Sequence, residues 1–458
     1  MKFPLGSLVI AVLLCGCEHL HPVYQNTSAQ PTKSIVPESG YDLAFIEFGE
    51  QGSYQDPTQL QNAVDLIKRT PRPLVITYVH GWHHGADSRD VGNFSGWLAE
   101  ISKTQLIRDS GLHPIGVYLG WRGESTTIPV IRQFTFYSRK AAAERLASNF
   151  DCYDAIAAVS QAARESHGSG GQYTVLIGHS FGGLVVERSV AHAINAEMHG
   201  HAAADRSLPA DLILMVNPAS DSILTRQMIA ALASRHTENS RPFLVSLTST
   251  ADAATGTAFP VSTSLAATTK VFNDVPVPGT EQRESERRFY TATPGHNDFL
   301  INHETKKLDE TIQAPGGLNA LQTNLTHNLI ADVFATDGPN GTLDLWHLKR
   351  TGNVDVPYWD VKVDPSIIKN HGDIWNPKAQ AMMAAIFRMT NPLMNRASKV
   401  KPRAVLKKEP SRPALVPESN QSRSRPPRKK MKTEPAAKLP PPKPSPNRES
   451  EPALERTR

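Results

Sequence analysis

Tyr173-Thr174-Val175-Leu176-Ile177-Gly178-His179-Ser180-Phe181-Gly182-Gly183 is the stretch that decides the fold of this chain. A run of apolar and β-branched residues ends in Gly-x-Ser-x-Gly, and Leu184, Val185 and Val186 then open an apolar helical pattern that runs to about Ile194. A buried strand that turns straight into a helix, with a serine at the turn, has the form of a nucleophile elbow. The glycines two residues to either side let the backbone pass closely where a Cβ would clash, and the helix aims its positive end at the serine. The bare pattern is weak, because a chain of this length and average composition would hold about 0.15 chance copies. Its flanks favour the elbow over an ordinary connection with Ser180 as N-cap.

Outward from this point, apolar runs alternate with helical patterns. Leu43 to Phe48, Leu74 to Val79, Ile115 to Leu119, Leu212 to Val216, Phe243 to Leu247 and Trp359 to Val363 read as strands. Val91 to Ile107, Phe136 to Ala163, Ser222 to Ala233 and Lys378 to Met389 read as helices. Alternation of this kind predicts an α/β class with a mostly parallel sheet and helices on both faces. Ligands in such sheets bind beyond the carboxyl ends of the strands, where Ser180 falls.

A serine hydroxyl needs a base within hydrogen-bond reach and a carboxylate to orient that base. Two aspartates stand just past strand ends: Asp221 in Asn217-Pro218-Ala219-Ser220-Asp221 and Asp252 in Thr248-Ser249-Thr250-Ala251-Asp252. Asp221 is also placed to cap the helix that begins near Ser222. For the base, His371 lies in the loop after the last strand, beside Gly372, and His296 lies in Pro294-Gly295-His296 before that strand. The first strand-end loop to carry histidine is His80-Gly81-Trp82-His83-His84-Gly85. Adjacent histidines point in different directions and no acidic partner stands at ligand spacing, so zinc is not expected here.

With His80-Gly81-Trp82, Gly178 to Gly182, Asp252 and His371 in this order, the stretch from about Leu74 to Met389 resembles the α/β-hydrolase superfamily near its esterase and lipase branches. The resemblance implies Ser180 as nucleophile, Asp252 as the acid after the second strand beyond it, and His371 as base. It further implies an oxyanion hole made by the backbone N–H groups of Phe181 and of Trp82. The implied activity is cleavage of carboxylic esters, with lipid-like esters favoured by the aromatic neighbours Trp82, Phe181 and Trp375. Amide, thioester or acyl-transfer chemistry on the same triad and an inactive binding lipoprotein are the alternatives. Trp121 and Arg122, in Gly120-Trp121-Arg122-Gly123, are further substrate-binding candidates, against a plainer role in packing. The 119 positions between Asp252 and His371 exceed what the superfamily needs, so an insertion at about 259–357 is expected to form a cap or lid. No metal or organic cofactor is called for.

The ends have a different character. Lys2, the apolar run Leu8 to Leu14 and Leu14-Cys15-Gly16-Cys17 resemble a bacterial lipoprotein signal, which implies cleavage before Cys17 and acylation of its thiol. Residues 1–16 are then the signal, 17–40 a tether and 41–397 the hydrolase domain. The chain is expected in the cell envelope, anchored to the inner or outer membrane and facing the periplasm, with plain secretion as the alternative. Residues 399–458 carry 17 Lys and Arg, 6 Glu and 13 Pro, so a tail from 398 onward holds +11 and leaves −6 for the rest of a chain of net +5. Such a segment cannot bury a core and is expected to be disordered. Export makes a nucleic-acid partner unexpected, and an anionic envelope surface suits the tail better. Cys152, without a partner once Cys17 is acylated, reads as a small buried residue.

Overall fold

The structure is a computed structural model that describes residues 34–125, 135–166, 173–198, 209–233, 241–313, 332–352 and 354–390. The signal segment, Cys17, the tether up to residue 33 and the basic tail lie outside the described residues.

The strands are β1 (Ile35–Glu38), β2 (Tyr41–Glu47), β3 (Pro73–Val79), β4 (His113–Gly120), β5 (Tyr173–His179), β6 (Leu212–Val216), β7 (Leu244–Ser249), β8 (Asp274–Pro276), β9 (Arg283–Ser285), β10 (His303–Gln313), β11 (Val333–Asp337), β12 (Thr342–Arg350) and β13 (Tyr358–Val363). Among the described residues, eleven of them form one sheet in the order β1-β2-β4-β3-β5-β6-β7-β13-β10-β12-β11. From β2 to β10 every neighbouring pair is parallel. At the ends, β1, β12 and β11 pair antiparallel.

Why these runs become central strands is visible in β3. Val75 and Val79 pack into the core on one face of the sheet, Leu74, Ile76 and Tyr78 into the core on the other, and none of these five is exposed. A strand buried on both faces needs a continuous apolar run rather than an alternating one. The helices Pro57–Arg69, Phe136–Ser148, Phe150–Glu165, Phe181–Met198 and Ile223–Ala233, with Phe259 and Phe289 from two shorter helices, line the first core; Arg89–Ser102, Gln105–Ser110 and Pro377–Thr390 line the second. Two long helical patterns are broken locally. Asn149, extended in backbone, ends one helix and caps the next by accepting from the Asp151 N–H, and Thr104 caps Gln105–Ser110 in the same way.

Two expectations are corrected. Residues 35–38, expected in the tether, form β1, which a turn through left-handed Gly40 (φ 93°) folds back on β2. The expected cap at 259–357 is only partly an overlying element. Its second part, β10, β12 and β11, widens the sheet beyond β13, so β13 is an interior strand. Asn302 fixes that join: its side-chain amide donates to the Tyr358 carbonyl and accepts from the Asp360 N–H. The alternating residues of β12 explain the outcome, with Trp346 and Leu348 entering the second core together with Phe334 of β11. The first part, residues 254–301, turns over the helix Ile223–Ala233, where the Ser222 N–H donates to the carbonyls of Phe289 and Ala292.

The order in which strands are added to the sheet reverses between β3 and β5, which themselves run parallel. From β3 the next strand is added on one side, as β4, and from β5 onward strands are added on the other. A crevice opens above such a switch point. The residues at its two lips are His80-Gly81-Trp82 and Ser180.

Candidate active site

Ser180 sits between β5 and the helix Phe181–Met198 with φ +57°, a left-handed conformation that a residue with a side chain adopts only under constraint. The constraint is visible. The Ser180 N–H donates to the Val216 carbonyl, and the Ser180 carbonyl accepts from the N–H groups of Gly183 and Ala219. The backbone crossing is so close that a Cβ on Gly178 would lie 2.5 Å from the Gly182 carbonyl oxygen, and one on Gly182 would lie 2.0 Å from that of Val79. Both glycines of the motif are therefore required by packing.

Three side chains from separate segments meet here. The Ser180 hydroxyl lies 2.7 Å from His371 Nε2, and His371 Nδ1 lies 2.8 Å from Asp252 Oδ2. A carboxylate only accepts, so Nδ1 carries the proton and Nε2 faces the hydroxyl with its lone pair. Asp252 follows β7 and is buried, with 1 % of its surface exposed. Burial acts to raise its pKa, but the hydrogen bond and charge of His371 and the donors of Thr255 outweigh it and hold the carboxyl below its usual range. Those donors are well placed: Oδ1 accepts from the N–H groups of Ala254 and Thr255, and Oδ2 from the Thr255 hydroxyl.

The rival residues lie elsewhere. Asp221 is bound to Arg188 at 2.8 Å. His296 packs its ring against Gly256, where a Cβ would come within 2.8 Å of it, and burial lowers its pKa. It neighbours Asp252 in the electrostatic sense but makes no hydrogen bond to it.

Phe181 is the first residue of its helix, so its N–H is among those without an acceptor inside the helix. The other expected donor, Trp82, follows Gly81, which packs closely on Ser180: a Cβ on Gly81 would lie 2.6 Å from Ser180 Cβ. His80 anchors this loop. Its Nδ1–H donates to the Gly81 carbonyl, its Nε2 accepts from the Trp121 N–H, and the Trp121 indole donates to the His80 carbonyl. Burial, the largest influence, lowers the His80 pKa to about 4, so it is neutral in this role.

Trp121 and Arg122 are placed beneath that loop. The Trp121 ring stacks on His80 at 5.5 Å and is buried. Arg122 meets Glu50 at 3.2 Å, and Arg139, which also pairs with Glu50, donates to the Arg122 carbonyl. Trp121 thus supports the loop, and the Arg122 side chain is engaged by Glu50. Trp375 also packs away from the crevice: its indole donates to Asp90 and its ring lies against Tyr78, Phe94 and Trp97.

An aromatic group flanks Ser180 instead. Trp82, Phe136 and Phe181 contact one another, and Phe136 reaches Phe259 at the start of the helix Phe259–Ala266. Beside it, Tyr137 donates to the Ser262 carbonyl and is half exposed, as are Val261 and Leu265 to a greater degree. Phe136 and Phe259 were not singled out in the sequence, where they are ordinary apolar residues of two helices. Thr255, three residues after Asp252, carried a detectable signal as an Asx-type turn.

Among the described residues no group of His, Cys, Asp and Glu is arranged to hold a metal ion. Cys152 is buried and its thiol is pushed up to about 12 by burial, which leaves it inert.

Fold and site together define an α/β protein with a hydrogen-bonded Ser-His-Asp constellation at the carboxyl edge of a parallel sheet. No protein-family model and no curated protein matches the chain. Among solved structures it is similar to phospholipase PlaB from Legionella pneumophila. In a complex with thio-NAD the identity is 14 %, over 71 % of this chain and 61 % of that chain, at a TM-score of 0.27. In a second PlaB structure the values are 12 %, 71 %, 63 % and 0.25. This chain spans less than two thirds of the PlaB chains, and a likeness of that size carries no inference about activity.

Proposed function

We propose that this chain is a serine hydrolase of the α/β-hydrolase type that cleaves carboxylic esters through an acyl-enzyme on Ser180. The observation that carries the proposal is the relay from Ser180 Oγ through His371 to Asp252, joined by bonds of 2.7 and 2.8 Å. In the first step Ser180 Oγ attacks the ester carbonyl carbon while His371 Nε2 takes the hydroxyl proton. The carbonyl oxygen becomes an oxyanion that the N–H groups of Phe181 and Trp82 receive. Collapse breaks the bond to the alcohol, which leaves with the proton from His371. Water then repeats the sequence, with His371 as base, and releases the acid and free Ser180.

Substrates with an apolar acyl group suit the aromatic flank of Trp82, Phe136, Phe181 and Phe259. Acylation of Cys17 would hold the enzyme at a bacterial membrane through its acyl chains. A Cys17→Ser variant is then expected in the soluble fraction.

The test is labelling with a fluorophosphonate probe, comparing the wild-type chain with Ser180→Ala, followed by matched ester, thioester and amide substrates. Labelling and ester turnover that vanish in the variant support the proposal. Turnover that survives Ser180→Ala at near the wild-type rate refutes it.

A further inference from the structure

The loop that carries His371 has no helix or strand of its own at that residue, yet the base must be held to a fraction of an ångström. The His371 backbone carbonyl accepts two side-chain donors: His179 Nε2–H at 2.8 Å and the Asn217 amide at 3.0 Å. His179 ends β5 and Asn217 follows β6, so the two donors come from adjacent strands. We infer that His179 and Asn217 are positioning residues that hold the catalytic base over Ser180 by converging on the backbone carbonyl of His371. The inference rests on the triad proposed above.

Each donor is itself held. Asn217 has φ +46°, a conformation that Asn tolerates better than other residues with a side chain. Its N–H donates to the Leu247 carbonyl, and its side-chain oxygen accepts from the Ser249 N–H. Ser249 in turn donates from its hydroxyl to the Ile368 carbonyl, so the loop hangs on three neighbouring strand ends. A carbonyl only accepts, so the His179 Nε2 bears the proton, and its Nδ1 is buried without a hydrogen-bond partner among the described residues. Burial, with His371 adding to it, lowers the His179 pKa to about 3. The residue is neutral whenever the enzyme works, and its ring, 5.0 Å from that of His371, does not oppose the imidazolium formed in catalysis. A buried histidine with one nitrogen unsatisfied is unfavourable for the fold. The hydrogen bond that its Nε2–H donates to the His371 carbonyl is what this buried ring supplies to the site.

The test uses the full chain with His179→Phe, which keeps the ring and removes the donor, and His179→Gln, which restores an N–H near the Nε2 position. Asn217→Gly keeps the left-handed backbone and removes the amide. On an acyl p-nitrophenyl ester, His179→Phe is expected to lower kcat by about 10- to 100-fold, the size of effect that misplacement by about 1 Å produces. KM should stay within about twofold. His179→Gln should recover most of the loss, and Asn217→Gly should fall between them. The second readout is the far-downfield proton resonance of the His371 Nδ1–H to Asp252 hydrogen bond, which should weaken in His179→Phe and return in His179→Gln. Wild-type kcat and an unchanged resonance in His179→Phe would overturn the inference. Should His179→Phe not fold, Asn217→Gly and His179→Gln carry the same test, and a resonance and kcat unchanged in Asn217→Gly overturn it. Failure of the triad proposal shows separately, as a Ser180→Ala chain labelled by the fluorophosphonate as well as the wild type.

Discussion

Replacing Asp252 by Asn separates the orienting carboxylate from every other feature of the site. The backbone N–H groups of Ala254 and Thr255 both donate to Oδ1, so the amide oxygen must stay there and the amide nitrogen takes the place of Oδ2. At that place, 2.8 Å from His371 Nδ1, an N–H now donates where a carboxylate accepted. His371 can meet it only by moving its proton to Nε2, and Nε2–H cannot take the proton of Ser180. The variant thus locks the wrong tautomer, which in serine triads costs about 10⁴-fold in kcat. At 1.36 kcal/mol per factor of ten this is about 5 kcal/mol of transition-state stabilisation. The Thr255 hydroxyl need only rotate to accept, so the geometry should survive. Because the Asp252 pKa is lowered, its carboxylate stabilises the fold above the usual carboxylate range, and that contribution is lost as the pH falls through the lowered value. The Asn variant should therefore lack this part of the acid sensitivity. The assay is kcat and kcat/KM on an acyl p-nitrophenyl ester at pH 7 to 8, with Asp221→Asn as control. Asp221 is bound to Arg188, so its variant should keep kcat within about threefold, the scale of an ion pair outside the site. A loss below tenfold in Asp252→Asn, or a larger loss in Asp221→Asn, would refute the reasoning.

Three further outcomes are expected. His371→Ala should lose about 10⁴-fold in kcat and His296→Ala less than tenfold, and the reverse ranking would transfer the role of base. Arg122→Ala should cost about 1 kcal/mol of stability through its pairing with Glu50 and leave KM unchanged; a KM that rises only for esters with an anionic head group would return Arg122 to the substrate site. The third concerns Glu187, a buried carboxyl pushed up to about 7 by burial, against the Thr225 hydrogen bond that acts to lower it. The folded state keeps this proton while the unfolded state has lost it, so stability is greatest below the ordinary carboxylate value and falls as the pH rises to about 7. The span is at most about 3 kcal/mol. Glu187→Gln should flatten the fall of Tm between about pH 4.5 and 7, and an equally steep fall in the variant would count against a shifted Glu187.

What could be read from the sequence follows from how locally each feature is determined. β3, β5, β6 and β7 are legible because burial on both faces demands an unbroken apolar run, and Ser180 because its turn requires glycine at two fixed positions. Asp252 and Asp221 are alike in sequence, each just past a strand end. What separates them is Arg188, brought against Asp221 by a helix that sequence spacing does not place. The region 303–350 was misjudged for a related reason. Strands added antiparallel at a sheet edge carry alternating residues and many charges, as in Thr342–Arg350, and that pattern does not say which sheet they will join. His179 was in view as the residue before the nucleophile, but its partner is the carbonyl of His371, 192 positions away.

In the proposed triad the acid, Asp252, follows β7, two strands from the one that ends at Ser180. Neighbouring strands lie about 4.8 Å apart, so the end of β7 is about 10 Å from that of β5. A relay of two hydrogen bonds of 2.7 and 2.8 Å with an imidazole between them covers that span and has no room to fold into half of it. The gap above β6 is filled by Asn217, which reaches up to the His371 carbonyl while its own oxygen takes the Ser249 N–H of β7. With His179 of β5 sharing the same carbonyl, the middle member of the proposed relay is held from the strand of the serine and from the one beside it. Asn217 does so from a left-handed backbone (φ +46°), which Asn tolerates better than other residues with a side chain.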